Sequence, residues 1–186
     1  GILNGTTNFI LSKMSENQSS FKEALKEAQD LGLAEADPTM DVDGTDAAQK
    51  ASILSALAFN TLYDFNSVSY EGIENVSPED IVYAEQLEYS VKHIAYGSIV
   101  DGEVNVSAFP TFVPKGQLLS QVGQQMNALE IFCEEIGSTV YYGPGAGPKP
   151  TASAVIADLV DLSNGGRPVS CLLYTSDAAD ERLGVD

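Results

Sequence analysis

The stretch VKHIAYGSIVDGEVNVSAF, residues 91–109, carries two runs rich in β-branched and aromatic residues on either side of Asp101-Gly102. Asp-Gly suits a two-residue hairpin loop because both central positions need positive φ, which Asp tolerates and Gly adopts freely. The stretch therefore predicts a β-hairpin of residues 91–100 with 103–109. Upstream the periodicity changes to helical. Residues 7–14 read as a short helix, and 20–31 as a firmer one with Phe21, Ala24, Leu25 and Ala28 on one face and Gly32 just past its end. After a polar loop at 34–45, residues 46–59 read as a helix whose Ala51, Ile53, Leu54, Leu57 and Ala58 imply burial on much of its circumference. Ser77-Pro78-Glu79-Asp80 is a helix start, with Ser as cap, Pro in the first turn and Asp three residues on, and this helix is expected to reach about Tyr89. Downstream of the hairpin, 122–130 fits helix or strand. Residues 138–142 read as a strand running into Gly143-Pro144-Gly145-Ala146-Gly147, and 151–162 as a helix after Pro150. Helices come early, strands late, and no β-α-β alternation appears. The expected class is α+β, a mixed or antiparallel sheet with helices on one face.

At 186 residues with 44% hydrophobic content, the chain can bury one ordinary core. Its 27 acids against nine Lys and Arg, a formal charge of -18, oppose a phosphate backbone, so nucleic acid is not an expected partner. No apolar run approaches the roughly 20 residues of a membrane span, and no basic-then-apolar leader opens the chain, so no membrane partner is expected either. Two cysteines, Cys133 and Cys171, are too few for a disulfide framework or a Cys-built zinc site, which suits a reducing, cytoplasmic location. Gly1-Ile2-Leu3-Asn4 begins inside an apolar pattern without an initiator Met, so a natural start is expected upstream. Residues 171–181, CLLYTSDAADE, match in frame the translation of a transposon-type sequencing adapter, and Gly184-Val185-Asp186 match its continuation. Residues 171–186 are accordingly read as an adapter-derived artefact and set apart from fold reasoning. Without them 23 acids still face eight bases, a formal charge of about -15.

The acids concentrate in AEADPTMDVDGTDAAQK, residues 34–50, where five carboxylates precede one lysine. Asp46 and Lys50 stand at i and i+4, so their side chains meet on one helix face. Taken alone this is a surface ion pair, worth under ~1 kcal/mol. Glu35, Asp37, Asp41 and Asp43 crowd the loop before it, and their mutual repulsion calls for a compensating cation. One candidate is calcium: Thr39, Asp41, Asp43 and Gly44 fall on the first, third, fifth and sixth positions of an EF-hand loop. Lys50, however, stands where the bidentate Glu belongs, and no metal is assigned. The other is a small molecule bearing an ammonium group, held by carboxylates while Lys50, its basicity open to lowering by burial, works on an oxygen of the same ligand.

Residues 34–50 closely resemble the signature of homoserine dehydrogenases, which runs from an Ala through Asp-Pro and Gly-x-Asp to a Lys. Residues 1–11, GILNGTTNFIL, resemble the segment that opens that family's catalytic domain. YGPGAG, residues 142–147, followed by PTASAV, residues 150–155, resembles the segment where the chain returns toward the nucleotide domain. The three blocks occur in the family's order and span residues 1 to about 162. The resemblance implies NAD- or NADP-dependent interconversion of L-homoserine and L-aspartate 4-semialdehyde, a step in threonine, methionine and isoleucine biosynthesis, by a homodimer paired through sheet edges of this region. It assigns Lys50 as the acid–base group and Asp46 as the residue that orients it and meets the substrate hydroxyl. Glu35 and Asp41 would hold the substrate amine, and the backbone at Gly5 and Thr6 would approach substrate and nicotinamide. Gly145, Ala146, Gly147 and Thr151 are candidate cofactor contacts, although glycines at a strand–helix junction also serve the turn alone.

On this reading residues 1–142 form the catalytic and substrate domain, and 143–170 a Gly-rich turn and helix leading back to a nucleotide half. That half precedes the Asn-Gly-Thr segment in the family, together with a second lysine and a metal-binding segment, so the chain alone is expected to be inactive. Leu33 stands where an aromatic is usual, and Gln117-Leu118 where many bacterial members have His-Pro, which bears on fine specificity. The competing reading is a free-standing acidic module that binds an amine or metal, or a dimerisation domain. His93 is expected to be a strand residue satisfied by its neighbours, Cys133 a small core residue, and Tyr141-Tyr142 packing residues.

Overall fold

A computed structural model describes residues 1–61 and 63–165. The adapter-like tail from Cys171 and the end of the 143–170 segment lie outside the described residues.

Helix α1, Gly5–Asn17, starts two residues before the expected 7–14 because Asn4 caps it, its Oδ1 accepting from the Thr7 amide at 2.8 Å. Helix α2, Phe21–Asp30, opens with a capping box between Ser20 and Glu23. The polar loop expected at 34–45 contains an unforeseen single turn, α3, Thr39–Val42. Helix α4, Thr45–Phe59, follows. Helix α5, Pro78–Gln86, has the Ser77–Asp80 capping box but stops short of Tyr89, which already belongs to the next strand. Helix α6, Pro148–Ser163, begins at Pro148, whose missing amide costs nothing at a helix start.

The hairpin forms around Asp101 (φ 53°) and Gly102 (φ 83°), with both central residues left-handed as the Asp-Gly pair predicts. Its strands, β2 (Tyr89–Val100) and β3 (Glu103–Pro114), pair in unbroken register from Val100↔Glu103 to Tyr89↔Pro114. Strand β1, Ser69–Tyr70, adds parallel to β3, giving the mixed order β1-β3-β2. The ambiguous 122–130 region becomes β4, Met126–Cys133, antiparallel to β5, Gly137–Pro144. The start of the chain joins the two sheets: Ile2 exchanges two backbone hydrogen bonds with Ala128 of β4, while the Gly1 carbonyl accepts from Ala95 of β2.

Three packed groups result. Phe9, Ile10, Leu11 and Met14 of α1 meet Ala24, Ala28, Ile81, Ala84 and Val91. Ala47, Ala48 and Ala51 of α4 lie against Ala95, Val106 and Ala108 of the sheet. Ile2, Val113, Leu119, Val122 and Ala128 fill the space between the sheets. The expected wide burial of α4 is not observed. Its small residues, Ala47, Ala48, Ala51, Ser52, Ser55 and Ala56, face the sheet, and Ile53, Leu57 and Ala58 are exposed, Leu57 by 53%. Small side chains let the helix approach closely; Leu54 packs at the border of this contact, and Ile53 and Leu57 turn outward. Tyr141 and Tyr142 are also exposed and Cys133 only half-buried, against the expectation of packing and core roles. His93 is buried, and its Nε2 meets the Glu71 carbonyl at 2.9 Å while Nδ1 has no protein partner among the described residues. No described helix is long and apolar enough to cross a membrane.

Candidate active site

The N-termini of α1 and α4, the short α3, the start of β4 and the β5–α6 turn converge on a cleft of about 800 Å³. The start of α1 brings its polar cap residue Asn4 to the cleft, the first turns of α4 bring Asp46 and Lys50, and the 35–41 segment brings Glu35, Asp37, Thr39 and Asp41. Asn4 is only 4% exposed and uses its whole amide. Its Oδ1 caps α1, and its Nδ2 donates to Asp41 Oδ1 at 2.7 Å and to Asp46 Oδ2 at 2.9 Å. Asp46 Oδ2 also accepts from Lys50 Nζ at 2.7 Å, and the same ammonium reaches the Leu3 carbonyl at 3.3 Å. The i, i+4 spacing on α4 therefore does bring Asp46 and Lys50 together. The burial invoked for Lys50 is not observed: its side chain is 47% exposed and that of Asp46 26%.

The acidic loop needs less outside compensation than its composition implied. Asp37 Oδ1 accepts from the hydroxyl of Thr39 at 2.6 Å and from its amide at 3.2 Å, and these bonds hold the Asp37 carboxyl below its ordinary value. Asp43 Oδ1 accepts from the Thr45 amide at 2.8 Å at the start of α4. Asp41 is matched by Asn4. Two of the loop's acids thus serve local turns.

Of the residues singled out in the sequence, Gly5, Thr6, Glu35, Asp41, Asp46, Lys50, Gly145, Ala146 and Gly147 all line the cleft. Thr151 does not: it lies inside α6, its amide bonded to the Gly147 carbonyl at 3.1 Å. Thr6 also ties the cleft rim, its hydroxyl donating to the carbonyl of Leu33 at 3.0 Å. Gly5 and Gly145 are small for reasons of packing. A Cβ on Gly5 would lie 2.7 Å from the Gln125 carbonyl oxygen, and one on Gly145 would lie 1.9 Å from Asn127 Nδ2.

Sequence reasoning missed Asn4, Gln125 and Asn127. An Asn one residue before a helix is a readable cap signal, but the helical pattern is clear only from Thr7, three residues beyond it. Asn127 lies on the cleft floor, its Nδ2 donating to the Leu3 carbonyl at 3.3 Å and its buried Oδ1 without a partner among the described residues. Only the pairing of β4 with Ile2 brings it there, so no local pattern could have indicated it.

Comparison with known proteins gives a consistent result. Residues 1–160 match the family model described as homoserine dehydrogenase. The chain is 47% identical over 163 residues to a homoserine dehydrogenase of Neisseria gonorrhoeae, a match covering 88% of this chain and 38% of that protein. With that of Bacillus subtilis it shares 48% over 160 residues, covering 86% and 37%. It superposes on the crystal structure of the Staphylococcus aureus homoserine dehydrogenase at pH 7.5 with a TM-score of 0.82 at 46% identity, covering 91% of this chain and 44% of that one. The chain thus spans well under half the length of the relatives it matches. With the acid-rich cleft, the Asp46–Lys50 pair and this similarity over residues 1–160 taken together, the chain belongs to the homoserine dehydrogenase family.

Proposed function

We propose that this chain carries the substrate-binding and acid–base half of an oxidoreductase that interconverts L-homoserine and L-aspartate 4-semialdehyde. The observation that carries this reading is the Lys50–Asp46 pair at the mouth of a cleft whose other acids, Asp41 and Glu35, can take an ammonium group. Residues 1–142 would act as the substrate domain. Residues 143–170 would lead back to a dinucleotide-binding half, and no parallel strand–turn–helix unit of that kind occurs among the described residues.

The family implies a nicotinamide cofactor, NAD or NADP. The cleft fits one end of it: about 800 Å³ leaves room beside a small amino acid, and Gly145, Ala146 and Gly147 form a wall without bulky side chains. When bound there, that group would supply the hydride acceptor or donor for the carbon bearing the hydroxyl. The chain's own residues handle the rest. Asp41 and Glu35 hold the substrate's α-ammonium, which fixes which end of the molecule reaches Lys50. In the oxidative direction Lys50 Nζ takes the hydroxyl proton, and in the reductive direction it returns a proton to the carbonyl oxygen. Asp46 Oδ2 and the Leu3 carbonyl hold Nζ in place for both directions.

A homodimer formed through the 91–109 hairpin accords with the exposed Tyr96, Ile99, Val100, Phe109 and Phe112 on its strands. A cytoplasmic biosynthetic role, in the pathway to threonine, methionine and isoleucine, accords with the activity named for the relatives. The deciding experiment is to assay this chain alone, and then joined to the dinucleotide-binding half of the Bacillus subtilis relative, for homoserine-dependent reduction of NAD and NADP. Turnover is expected only in the joined protein. Turnover by the chain alone would overturn the division of labour, and none in a folded joined protein would overturn the activity.

A further inference from the structure

We propose that Asn4 is a positioning residue whose single amide nitrogen clamps the Asp41 and Asp46 carboxylates together and so holds Asp46 against Lys50. This rests on the reading of Lys50 as the acid–base group. The geometry is unusual for a helix cap. A capping Asn needs only its oxygen, and Asn4 Oδ1 does that work with the Thr7 amide at 2.8 Å. Its two Nδ2 protons are free for another purpose, and both go to carboxylates on different elements, Asp41 on α3 and Asp46 on α4, at 2.7 and 2.9 Å. Two carboxylates meeting one donor repel each other, and here the Asn4 amide donates to both while Lys50 balances Asp46. The Asp46–Lys50 pair is partly exposed, and an exposed i, i+4 pair by itself fixes no single geometry. The buried Asn4 supplies the missing rigidity. Leu3 adds to it, its carbonyl accepting from both Lys50 Nζ and Asn127 Nδ2 at 3.3 Å. Two consecutive residues, Leu3 by its carbonyl and Asn4 by its side chain, therefore set the position of the amine that handles the proton and of the acid for the substrate amine.

Asn4→Ser separates the clamp from the cap, because a Ser oxygen still caps α1 but is too short to bridge both carboxylates. On the 186-residue chain, side-chain NMR reads the coupling through the hydrogen bond between Lys50 Nζ and the Asp46 carboxyl carbon, together with exchange of the Asn4 amide protons. The parent is expected to show the coupling and two slowly exchanging Asn4 protons. Asn4→Ser is expected to keep the unfolding midpoint and lose the coupling. A coupling unchanged in Asn4→Ser, or one absent from the parent, overturns the proposal, as does a fast-exchanging Asn4 proton in the parent. Should Asn4→Ser not fold, Asn4→Gly, a cap residue that costs α1 little, removes the donor without adding charge, with the same expectation, and the parent's proton exchange decides if neither folds. In the joined enzyme Asn4→Ser is expected to lower kcat about 100-fold, the scale of a misplaced reacting group. If Lys50→Ala abolishes turnover while Asn4→Ser stays within about twofold of the parent, the clamp fails and the site reading stands. If Lys50→Ala retains turnover but the NMR coupling is lost in Asn4→Ser, the site reading fails and the clamp stands as a structural one.

Discussion

Two lysines of this chain occupy opposite environments. Lys50 stands at the mouth of the cleft, half-exposed, 2.7 Å from a carboxylate. Lys92, on β2, is 6% exposed and donates to a backbone carbonyl, that of Val122, at 2.7 Å. Asn8 Nδ2 donates to the same carbonyl at 3.2 Å and to that of Met126 at 2.9 Å, so Lys92 belongs to a polar knot tying α1 and β2 to the segment entering β4. Burial pushes the Lys92 ammonium down from 10.5 to about 8, against a smaller opposing pull from Glu16. Strong perturbation of a titratable group often marks a functional site. Here the perturbed lysine is away from the cleft, and the lysine with access to a ligand is the paired, exposed one. Access and partners, more than burial, separate the lysine proposed as the acid–base group from the structural one.

The largest expected effect tests the first half of this contrast. Lys50→Ala in the joined enzyme is expected to reduce turnover by at least about 10²–10⁴-fold, the share of a general acid–base group. Its stability cost, from denaturant unfolding of the chain, should stay below ~1 kcal/mol because the lost ion pair is partly exposed. A large stability loss with turnover intact would reverse the roles of the two lysines.

A smaller effect tests the second half. Lys92 has a lowered folded value, so below pH 8 both folded and unfolded states carry its proton and the full burial cost is present. Between pH 8 and 10.5 the folded state releases the proton first, and stability rises with pH. Relative to Lys92→Met, the parent is expected to gain about 2 kcal/mol between pH 7.5 and 9.5, read from urea unfolding of both chains at the two pH values. A gap that does not change with pH would place Lys92 in contact with water.

The smallest effect calibrates both. Lys26 pairs with Asp30 at 3.0 Å on the exposed face of α2. Lys26→Gln is expected to move the unfolding free energy by less than about 0.5 kcal/mol and turnover of the joined enzyme not at all. A larger shift would mean that exposed pairs in this acidic chain are worth more than the contrast assumes.

Legibility followed the range of the interaction. The hairpin was readable from two residues, because Asp101-Gly102 selects a turn whose backbone both of them adopt. The capping box at Ser77 was likewise local. The outward turn of Ile53 and Leu57 was not, since an apolar helix reads alike whichever face it buries, and the close approach of α4 to the sheet decides the face. The ambiguity at 122–130 had the same source: β4 forms by pairing with β5 and Ile2, partners remote in sequence.

By itself the sequence determined the α+β class, the hairpin, the acid-rich segment and the Asp46–Lys50 spacing, because each rests on residues within a turn or two of one another. Only the tertiary structure decided that Asn4 bridges Asp41 and Asp46, that Asn127 reaches the cleft floor, and that Lys92 is the buried lysine. These arrangements join residues about 30 to more than 120 positions apart, and at that separation only the packing of the whole chain, which closes those loops against their entropy, specifies who meets whom.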